Sequence, residues 1–173
     1  YAMPEAYDER YRKWSLEALP IIPEKWKLEV TEDKAKQFKT LKDLLNRKEF
    51  SYVVNACDAG REGELIFNRV YELSGSRMPV KRLWISSMED NAIREGFRTL
   101  KSADEYRNLA DASVCRAQAD WLVGMNASRA FTKVYDSRLS VGRVQTPTLA
   151  MLADREAAIG GFQKEQYFIT HLL

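Results

Sequence analysis

The residues whose type and spacing most strongly suggest chemistry are three carboxylates, Asp58, Glu62 and Glu64. They follow a short apolar, β-branched run at 51–56 and precede a helix-like stretch at 65–73. Ligands bind at the carboxyl ends of strands in parallel α/β sheets, and Mg²⁺ prefers oxygen ligands, so this pattern predicts a metal site. A solvated helix start explains the acids equally well, because carboxylates are favoured near a helix N-terminus.

Glycines and an arginine are interleaved with these acids. Gly60 and Gly63 let the backbone turn sharply, and Arg61 offers several N–H donors to a phosphate. Cys57 adjoins the acids, but a thiolate is a poor Mg²⁺ ligand. We therefore predict that carboxylate oxygens hold the metal and that Gly60, Arg61 and Glu64 have supporting roles.

A second stretch, 115–145, is locally basic. Its basic residues exceed its acidic ones by three, whereas the whole chain carries a net charge of only +2. The basic residues are Arg116, Arg129, Lys133, Arg138 and Arg143, and the acidic ones are Asp120 and Asp136. Arg116 and Asp120, four residues apart, share a helix face and can form an ion pair. Arg143 and Gln145, two apart, would point to nearly opposite sides of a regular helix unless Pro147 bends it.

The composition excludes several classes of protein. The chain has 173 residues, of which 45% are hydrophobic and 30% charged, as in folded globular proteins. No run approaches the ~20 apolar residues of a membrane helix, and no signal peptide opens the chain. Two cysteines and one histidine disfavour a disulfide framework, a histidine metal site and a Ser-His triad. We predict a cytoplasmic protein without a membrane partner, and the start at Tyr1 suggests a piece of a longer one.

The elements around the acidic stretch predict an α/β fold. The runs 51–56 and 80–86 are typical of buried strands, and 65–73 is typical of the helix between them. Ser87 and Asp90 form a capping-box pattern that predicts the start of a further helix. Strand, helix, strand and helix in this order indicate a βαβ unit with a right-handed crossover.

The segments outside that unit differ in character. Residues 1–30, rich in aromatics and prolines, are predicted to be irregular chain packed on the core, and 31–48 is predicted to be helical. Beyond residue 101 the pattern is helical, with helices predicted over 104–126 and 128–134. Pro147 is predicted either to occupy the first position of a last helix, after Thr146, or to kink a longer helix. This helix is predicted to end at 160–161, and a strand is predicted to begin over 166–173.

Two tryptophans raise the possibility of base stacking, which aromatic side chains provide in single-strand binders. Trp84 lies in the predicted second strand, which favours core packing. For Trp121 the pattern leaves core packing and base stacking open.

Four motifs together resemble the type IA DNA topoisomerase family. The stretch 57–66 (CDAGREGELI) resembles the family's acidic Toprim motif, and 82–87 (RLWISS) resembles the strand after it. The stretch 116–124 (RAQADWLVG) resembles one signature of the helical groove domain. The stretch 139–150 (LSVGRVQTPTLA), together with 154–156 (DRE), resembles a second signature of the same domain. Their order and spacing match topoisomerase III-like members across essentially the whole chain.

The resemblance implies a Toprim-type parallel sheet with flanking helices, followed by an all-helical region. It implies a Toprim domain lacking its first strand over 1–101, a single-strand DNA groove domain over 102–159, and the start of a gate domain over 160–173. Asp58 and Glu62 would hold Mg²⁺. Gly60 stands where the family usually has a second Asp, so we expect one metal ion rather than two.

The resemblance also implies residue roles toward DNA. Arg116 would contact a phosphate with Asp120 orienting it, and Arg143 and Gln145 would contact the strand. Members of the family cut one strand of negatively supercoiled DNA through a phosphotyrosine, pass a strand and reseal, with Mg²⁺ and without ATP. The family's nucleophilic Tyr and N-terminal Glu have no counterpart here, so no catalytic residue is assigned and the chain alone is predicted to be inactive.

Two other functions stay open. A Toprim primase or nuclease explains 58–64 but not the stretch 139–150. A non-catalytic module that binds single-stranded DNA explains the basic stretch without any metal chemistry. In each case we predict a nucleic-acid partner in the cytoplasm, at the nucleoid.

Overall fold

The computed structural model describes residues 1–172, whose regular elements confirm the α/β class. The α-helices are α1 (Ala35–Leu45), α2 (Arg61–Ser74), α3 (Asp90–Arg98), α4 (Arg107–Val134) and α5 (Gln145–Gly160). The strands are β1 (Val53–Asn55), β2 (Val80–Arg82) and β3 (Lys101–Ser102). Short 3-10 turns occur at Pro4–Ala6, Glu9–Tyr11, Glu32–Lys34 and Ala103–Tyr106.

The sheet is small and mixed. β1 and β2 run parallel, with Val53 opposite Val80, and α2 is the crossover between them, as the sequence predicted. β3 was not predicted; it pairs antiparallel with β2 and makes the order β1-β2-β3. Because β1 and β2 are parallel, the residues that follow them meet at one edge of the sheet.

The helix after β1 begins earlier than predicted. α2 starts at Arg61 rather than at 65, which places Glu62 and Glu64 in its first turn. It ends at Ser74 and is capped by Gly75, whose φ of 69° lies in the left-handed region that favours glycine.

The predicted capping box at Ser87 and Asp90 is wrong. α3 begins after Glu89 without a side-chain cap, and the Ser87 hydroxyl instead accepts the Glu89 N–H at 3.3 Å. Ser87 lies too early in the chain for its short side chain to reach the helix. A capping box does occur at Ser102 and Glu105, before α4.

The two helices predicted over 104–126 and 128–134 are one helix, α4, of 28 residues. Residues 1–30 pack on it as irregular chain and short 3-10 turns, as predicted. Trp121 of α4 is buried with Tyr11 and Ile21, and its ring nitrogen donates to the Ala2 carbonyl at 3.1 Å. Trp121 is therefore a core residue.

Trp84, unlike Trp121, is exposed, so the prediction that it packs in the core is wrong. β2 ends at Arg82, so Trp84 lies past the strand, where its side chain is 40% exposed. Its ring stacks on Tyr106 with centroids 4.9 Å apart.

The C-terminal part is a helix followed by irregular chain. Pro147 lies in the first turn of α5 but is its third residue rather than its first, because the helix begins two residues earlier than predicted, at Gln145; α5 ends at Gly160, as predicted. The strand predicted over 166–173 is absent from 166–172, where the exposed chain has no neighbouring strand to pair with; residue 173 lies outside the described residues. No helix among residues 1–172 is long and apolar enough to cross a membrane.

Contacts cross the predicted domain boundary at 101/102. The heaviest packing between elements joins α2 to α4, and the N-terminal segment also packs on α4. The boundaries at 101/102 and 159/160 stay predictions.

Candidate nucleic-acid interface

The acidic turn between β1 and α2 is held by a close backbone approach. Asp58 is exposed in the loop, and Glu62 is exposed in the first turn of α2. Gly63 is buried against Asp58: a Cβ atom at Gly63 would lie 2.1 Å from the Asp58 carbonyl oxygen. Only glycine allows this contact, which seats Asp58 over the start of α2.

Glu64, two residues beyond Glu62, faces the interior. Its residue is 4% exposed, and its Oε1 atom accepts hydrogen bonds from Arg82 Nε at 2.6 Å and Asn55 Nδ2 at 3.3 Å. The carboxylate is thus engaged by protein donors, and any support it provides to a metal acts through Arg82.

Arg82 was not singled out from the sequence, yet it organises this turn. It is 1% exposed, and its guanidinium donates to the carbonyls of Cys57 and Asp58, each at 2.6 Å. Further hydrogen bonds go to the carbonyls of Asn55 and Leu83. Arg82 therefore ties the chain leaving β1 to the end of β2. The signal available in the sequence was a charged residue inside a predicted buried strand.

The donor set of the turn suits a hydrated magnesium ion. Asp58 and Glu62 supply carboxylate oxygens, and Mg²⁺ in proteins keeps several waters and uses one or two carboxylates. Among residues 1–172 no cluster of three or more Asp, Glu, His or Cys side chains is close enough to hold a metal. Burial raises the pKa of the neighbouring Cys57 thiol, which keeps it protonated. Metal binding at Asp58 and Glu62, the two exposed carboxylates of the turn, stays a prediction.

A chain of ion pairs runs from this turn to the loop before α5. Glu62 Oε1 lies 3.4 Å from Arg116 Nη1 of α4, and Arg116 Nε lies 3.9 Å from Asp120 Oδ2 on the next turn of the same helix. Asp120 in turn accepts a 2.6 Å hydrogen bond from Arg143. The predicted Arg116–Asp120 pair is present, and the fold extends it at both ends.

Asp120 and Arg143 favour each other's charged form, and the two arginines of the chain stay within reach of a ligand. A hydrogen bond from Arg143, together with the charges of Arg143 and Arg116, lowers the pKa of Asp120. The same hydrogen bond raises the pKa of Arg143. The side chains of Arg116 and Arg143 are 38% and 43% exposed. Exposed ion pairs are weak, so a phosphate can take the place of a carboxylate beside either arginine.

Arg143 and Gln145 are brought to one side by the loop, without a bent helix. Arg143 lies in the turn before α5, so the expectation that the two point apart on a helix does not apply. Both line an open cavity of about 710 Å³ together with Asp120. Gln145 Nε2 donates to Ser140 Oγ at 2.9 Å.

The loop before α5 is fastened to α4 by two hydroxyl groups. The Ser128 hydroxyl accepts the Val141 N–H at 2.9 Å, and the Thr132 hydroxyl accepts the Leu139 N–H at 3.0 Å. Arg143 is therefore held against α4 by side chains that the sequence did not single out. Arg61 is exposed at the first position of α2 and takes part in no ion pair recorded for residues 1–172.

Comparisons with known proteins show sequence similarity to DNA topoisomerases. A sequence model described as DNA topoisomerase matches residues 104–172. DNA topoisomerase 3 of Bacillus subtilis is 52% identical over 167 residues, which are 96% of this chain and 23% of that protein. The proteins of the same name from Bacillus licheniformis and Staphylococcus epidermidis are 50% and 47% identical over the same length. The chain thus spans about a quarter of these curated relatives, and the matches confirm the resemblance that the motifs carried.

Proposed function

We propose that this chain, which is homologous to a part of bacterial DNA topoisomerase 3, supplies the metal-binding turn and part of the single-strand DNA groove of a type IA topoisomerase. The whole protein would cut one strand of negatively supercoiled DNA through a phosphotyrosine, pass a strand and reseal, without ATP. It would act on nucleoid DNA in the cytoplasm. The Toprim assignment of the β1–α2–β2 unit is part of this proposal.

The observation that carries the proposal is the ion-pair chain from Glu62 to Arg143. It aligns two exposed arginines with the acidic turn and links three elements distant in sequence. A phosphodiester strand laid along it would meet Arg143 and Arg116 before reaching Asp58 and Glu62. Arginines placed this way stabilise negative charge on a phosphate under attack.

Within that scheme the acidic turn holds the metal. Asp58 and Glu62 would bind Mg²⁺, which supplies charge neutralisation at a phosphate when bound. Glu64 and Arg82 fix the backbone of the turn, and Arg116 anchors Glu62 at 3.4 Å. Asp120 keeps Arg143 and Arg116 oriented until a phosphate replaces it.

A primase or nuclease with the same acidic turn is the second candidate, and a non-catalytic single-strand DNA-binding module is the third. Neither requires the loop 139–145 to be held beside that turn. The ion-pair chain and the similarity over residues 104–172 favour the topoisomerase.

A chimera tests the proposal. The matching part of Bacillus subtilis DNA topoisomerase 3 is replaced by this chain, and relaxation of negatively supercoiled plasmid is followed with Mg²⁺ or with a chelator. We expect relaxation with Mg²⁺ and none with the chelator. The same chimera carrying Asp58→Asn should lose most activity, whereas Asp43→Asn, an exposed acid on α1, should retain it.

Two results would contradict the proposal. One is a well-folded chimera without relaxation, and the other is a chimera that nicks DNA without resealing it, which would favour the nuclease. We also expect the chain by itself to form no covalent adduct with DNA, since no tyrosine in it has the family's nucleophile surroundings. An adduct trapped by denaturation would overturn that expectation.

A further inference from the structure

Arg129 is a buried cation that forms no ion pair with any of residues 1–172. It lies on the face of α4 that packs against the N-terminal segment and is 3% exposed. Its Nη1 donates to the Tyr11 carbonyl at 2.6 Å, and its guanidinium lies 5.0 Å from the centre of the Trp14 ring. Its Nε atom is buried without an acceptor, and the ion pairs formed within residues 1–172 do not include it.

Burial of this kind is unfavourable unless something compensates the charge. Burial lowers the pKa of Arg129, and only the more distant charge of Glu5 opposes that effect. A carbonyl and an aromatic face stabilise a guanidinium less than a carboxylate or phosphate does. An anion that reached Arg129 would therefore be bound favourably.

A cavity of about 440 Å³ adjoins Arg129, and we name it the Arg129 cavity. A second cation, Arg138, lines it and is exposed, and Arg138 forms no ion pair among the described residues. Trp14 and Met125 provide apolar walls and Ser140 provides a hydroxyl group, whereas the Ser128 hydroxyl is engaged by the Val141 backbone. Among the described residues no Asp or Glu lines it, so the charged side chains that line the cavity are both cations.

We propose that the Arg129 cavity binds a phosphate group of a single DNA strand between Arg129 and Arg138. The strand is chosen over a free anion because one loop borders both this cavity and the one that contains Arg143. Ser140 lines the Arg129 cavity while its hydroxyl accepts the hydrogen bond from Gln145. A phosphate in this cavity and a phosphate at Arg143 would therefore be bound on either side of the same loop.

This inference rests on the proposed DNA-binding function but concerns a different set of residues. Arg116, Asp120 and Arg143 form the ion-pair chain on one side of the loop, whereas Arg129 and Arg138 lie on the other. The two sites can therefore be removed separately.

The test compares Arg138→Ala with Arg77→Ala as a control. Arg77 is also an exposed arginine, but it does not line the cavity and forms no ion pair within residues 1–172, so its removal changes only the net charge. The probes are inorganic phosphate, followed by thermal melting, and a fluorescent fifteen-nucleotide oligo(dT), followed by anisotropy at several salt concentrations. We expect Arg138→Ala to weaken oligo(dT) binding roughly three- to tenfold relative to Arg77→Ala. The plot of the logarithm of the binding constant against the logarithm of the salt concentration should become less steep by about 0.7, as expected for the loss of one phosphate contact.

Phosphate should raise the melting temperatures of the wild-type chain and of Arg77→Ala by similar amounts. The increase for Arg138→Ala should be smaller. Arg129→Met, which keeps an apolar side chain of similar length, should melt near or above the wild type without phosphate and should lose the phosphate effect. Equal oligo(dT) affinities and slopes for Arg138→Ala and Arg77→Ala would overturn the proposal, whatever the stability of Arg129→Met.

Two further outcomes separate this site from the proposed function. If Arg143→Ala weakens oligo(dT) binding and Arg138→Ala does not, the cavity proposal fails and the groove stands. If phosphate protection depends on Arg138 but oligo(dT) affinity does not, the cavity takes small anions and its assignment to a DNA strand is wrong. Absence of oligo(dT) binding by the wild type would instead count against the proposed function.

Discussion

Two arginine–carboxylate pairs in this molecule have the same length and opposite surroundings. Arg82 Nε lies 2.6 Å from Glu64, with side-chain exposures of 1% and 6%. Arg143 Nε also lies 2.6 Å from Asp120, with exposures of 43% and 45%. The first pair lies between β1, α2 and β2, and the second joins α4 to the loop before α5.

The difference in burial decides what each pair can do. In the interior, Arg82 and Glu64 have no water to replace a lost partner, so each depends on the other and on the carbonyl groups around Arg82. At the surface, water and ions already compete with the Asp120–Arg143 contact, and a phosphate can displace it. Distance alone therefore does not distinguish a pair that maintains the fold from one that is available to a ligand.

The largest effect is expected for Arg82→Ala. It leaves the buried Glu64 carboxylate without its cationic partner and frees the carbonyl groups of Cys57 and Asp58. Breaking such a buried pair costs about 3–5 kcal/mol, which urea unfolding measures. Loss of Mg²⁺ binding should accompany the loss of stability, because the acidic turn loses its anchor.

A double variant sharpens this prediction. Arg82→Met with Glu64→Met removes both charges and should be more stable than Arg82→Ala alone. If the double variant is no more stable than the single one, the carbonyl hydrogen bonds of Arg82, rather than its pairing with Glu64, maintain the fold.

Gly63→Ala should have the next largest effect. Its Cβ would overlap the Asp58 carbonyl oxygen, so the turn must move, at about 1–3 kcal/mol. Gly60→Ala is the matched control: the structure shows no need for a glycine at this predicted supporting position, since a Cβ there meets nothing within 4 Å and its φ of 171° is extended backbone. Urea unfolding and Mg²⁺ titration by calorimetry compare the two. Equal behaviour of the two variants would show that the Asp58–Gly63 approach is not needed for the site.

Arg143→Ala and Arg116→Ala should alter DNA binding and leave stability nearly unchanged. Each should weaken oligo(dT) binding by similar factors on different sequences and flatten the salt slope by about 0.7. Arg116→Ala should lose more, because it leaves Asp120 and Glu62 with one cation fewer beside the strand. A lowered melting temperature with an unchanged slope would identify these pairs as structural.

The smallest effect concerns pH. The pKa of Asp120 in the folded protein lies below the ordinary value of 3.8 because Arg143 donates a hydrogen bond to it. Its contribution to stability is therefore present above pH 3.8 and is lost as the pH falls through the lower, folded value. Melting curves between pH 2 and 6 should show a small advantage of the wild type over Asp120→Asn that disappears at the acid end. An advantage that grows toward low pH would contradict the assignment of this pair.

Much of the architecture followed from local patterns. The apolar runs and the helical stripe predicted β1, α2 and β2 in order, and the placement of the charged residues located the acidic turn and the basic stretch. These features depend on residues that are neighbours in the chain, where periodicity and propensity act. Element ends were less predictable, since α2 begins four residues early and α4 continues through the expected break at 126–128.

The tertiary structure decided which of these residues are buried and which are paired. Trp121 is in the core and Trp84 is exposed because the N-terminal segment covers α4 while β2 ends at Arg82. Glu64 faces Arg82, 18 positions away, and Asp120 faces Arg143, 23 positions away.

The same holds for Arg129, which is buried because residues 11–14 fold over it. The sequence by itself determined which charged groups this protein carries and on which elements they lie. Burial and ion pairing depend on contacts between segments that no local pattern connects, so only the fold could separate the arginines that maintain the structure from those open to a phosphate.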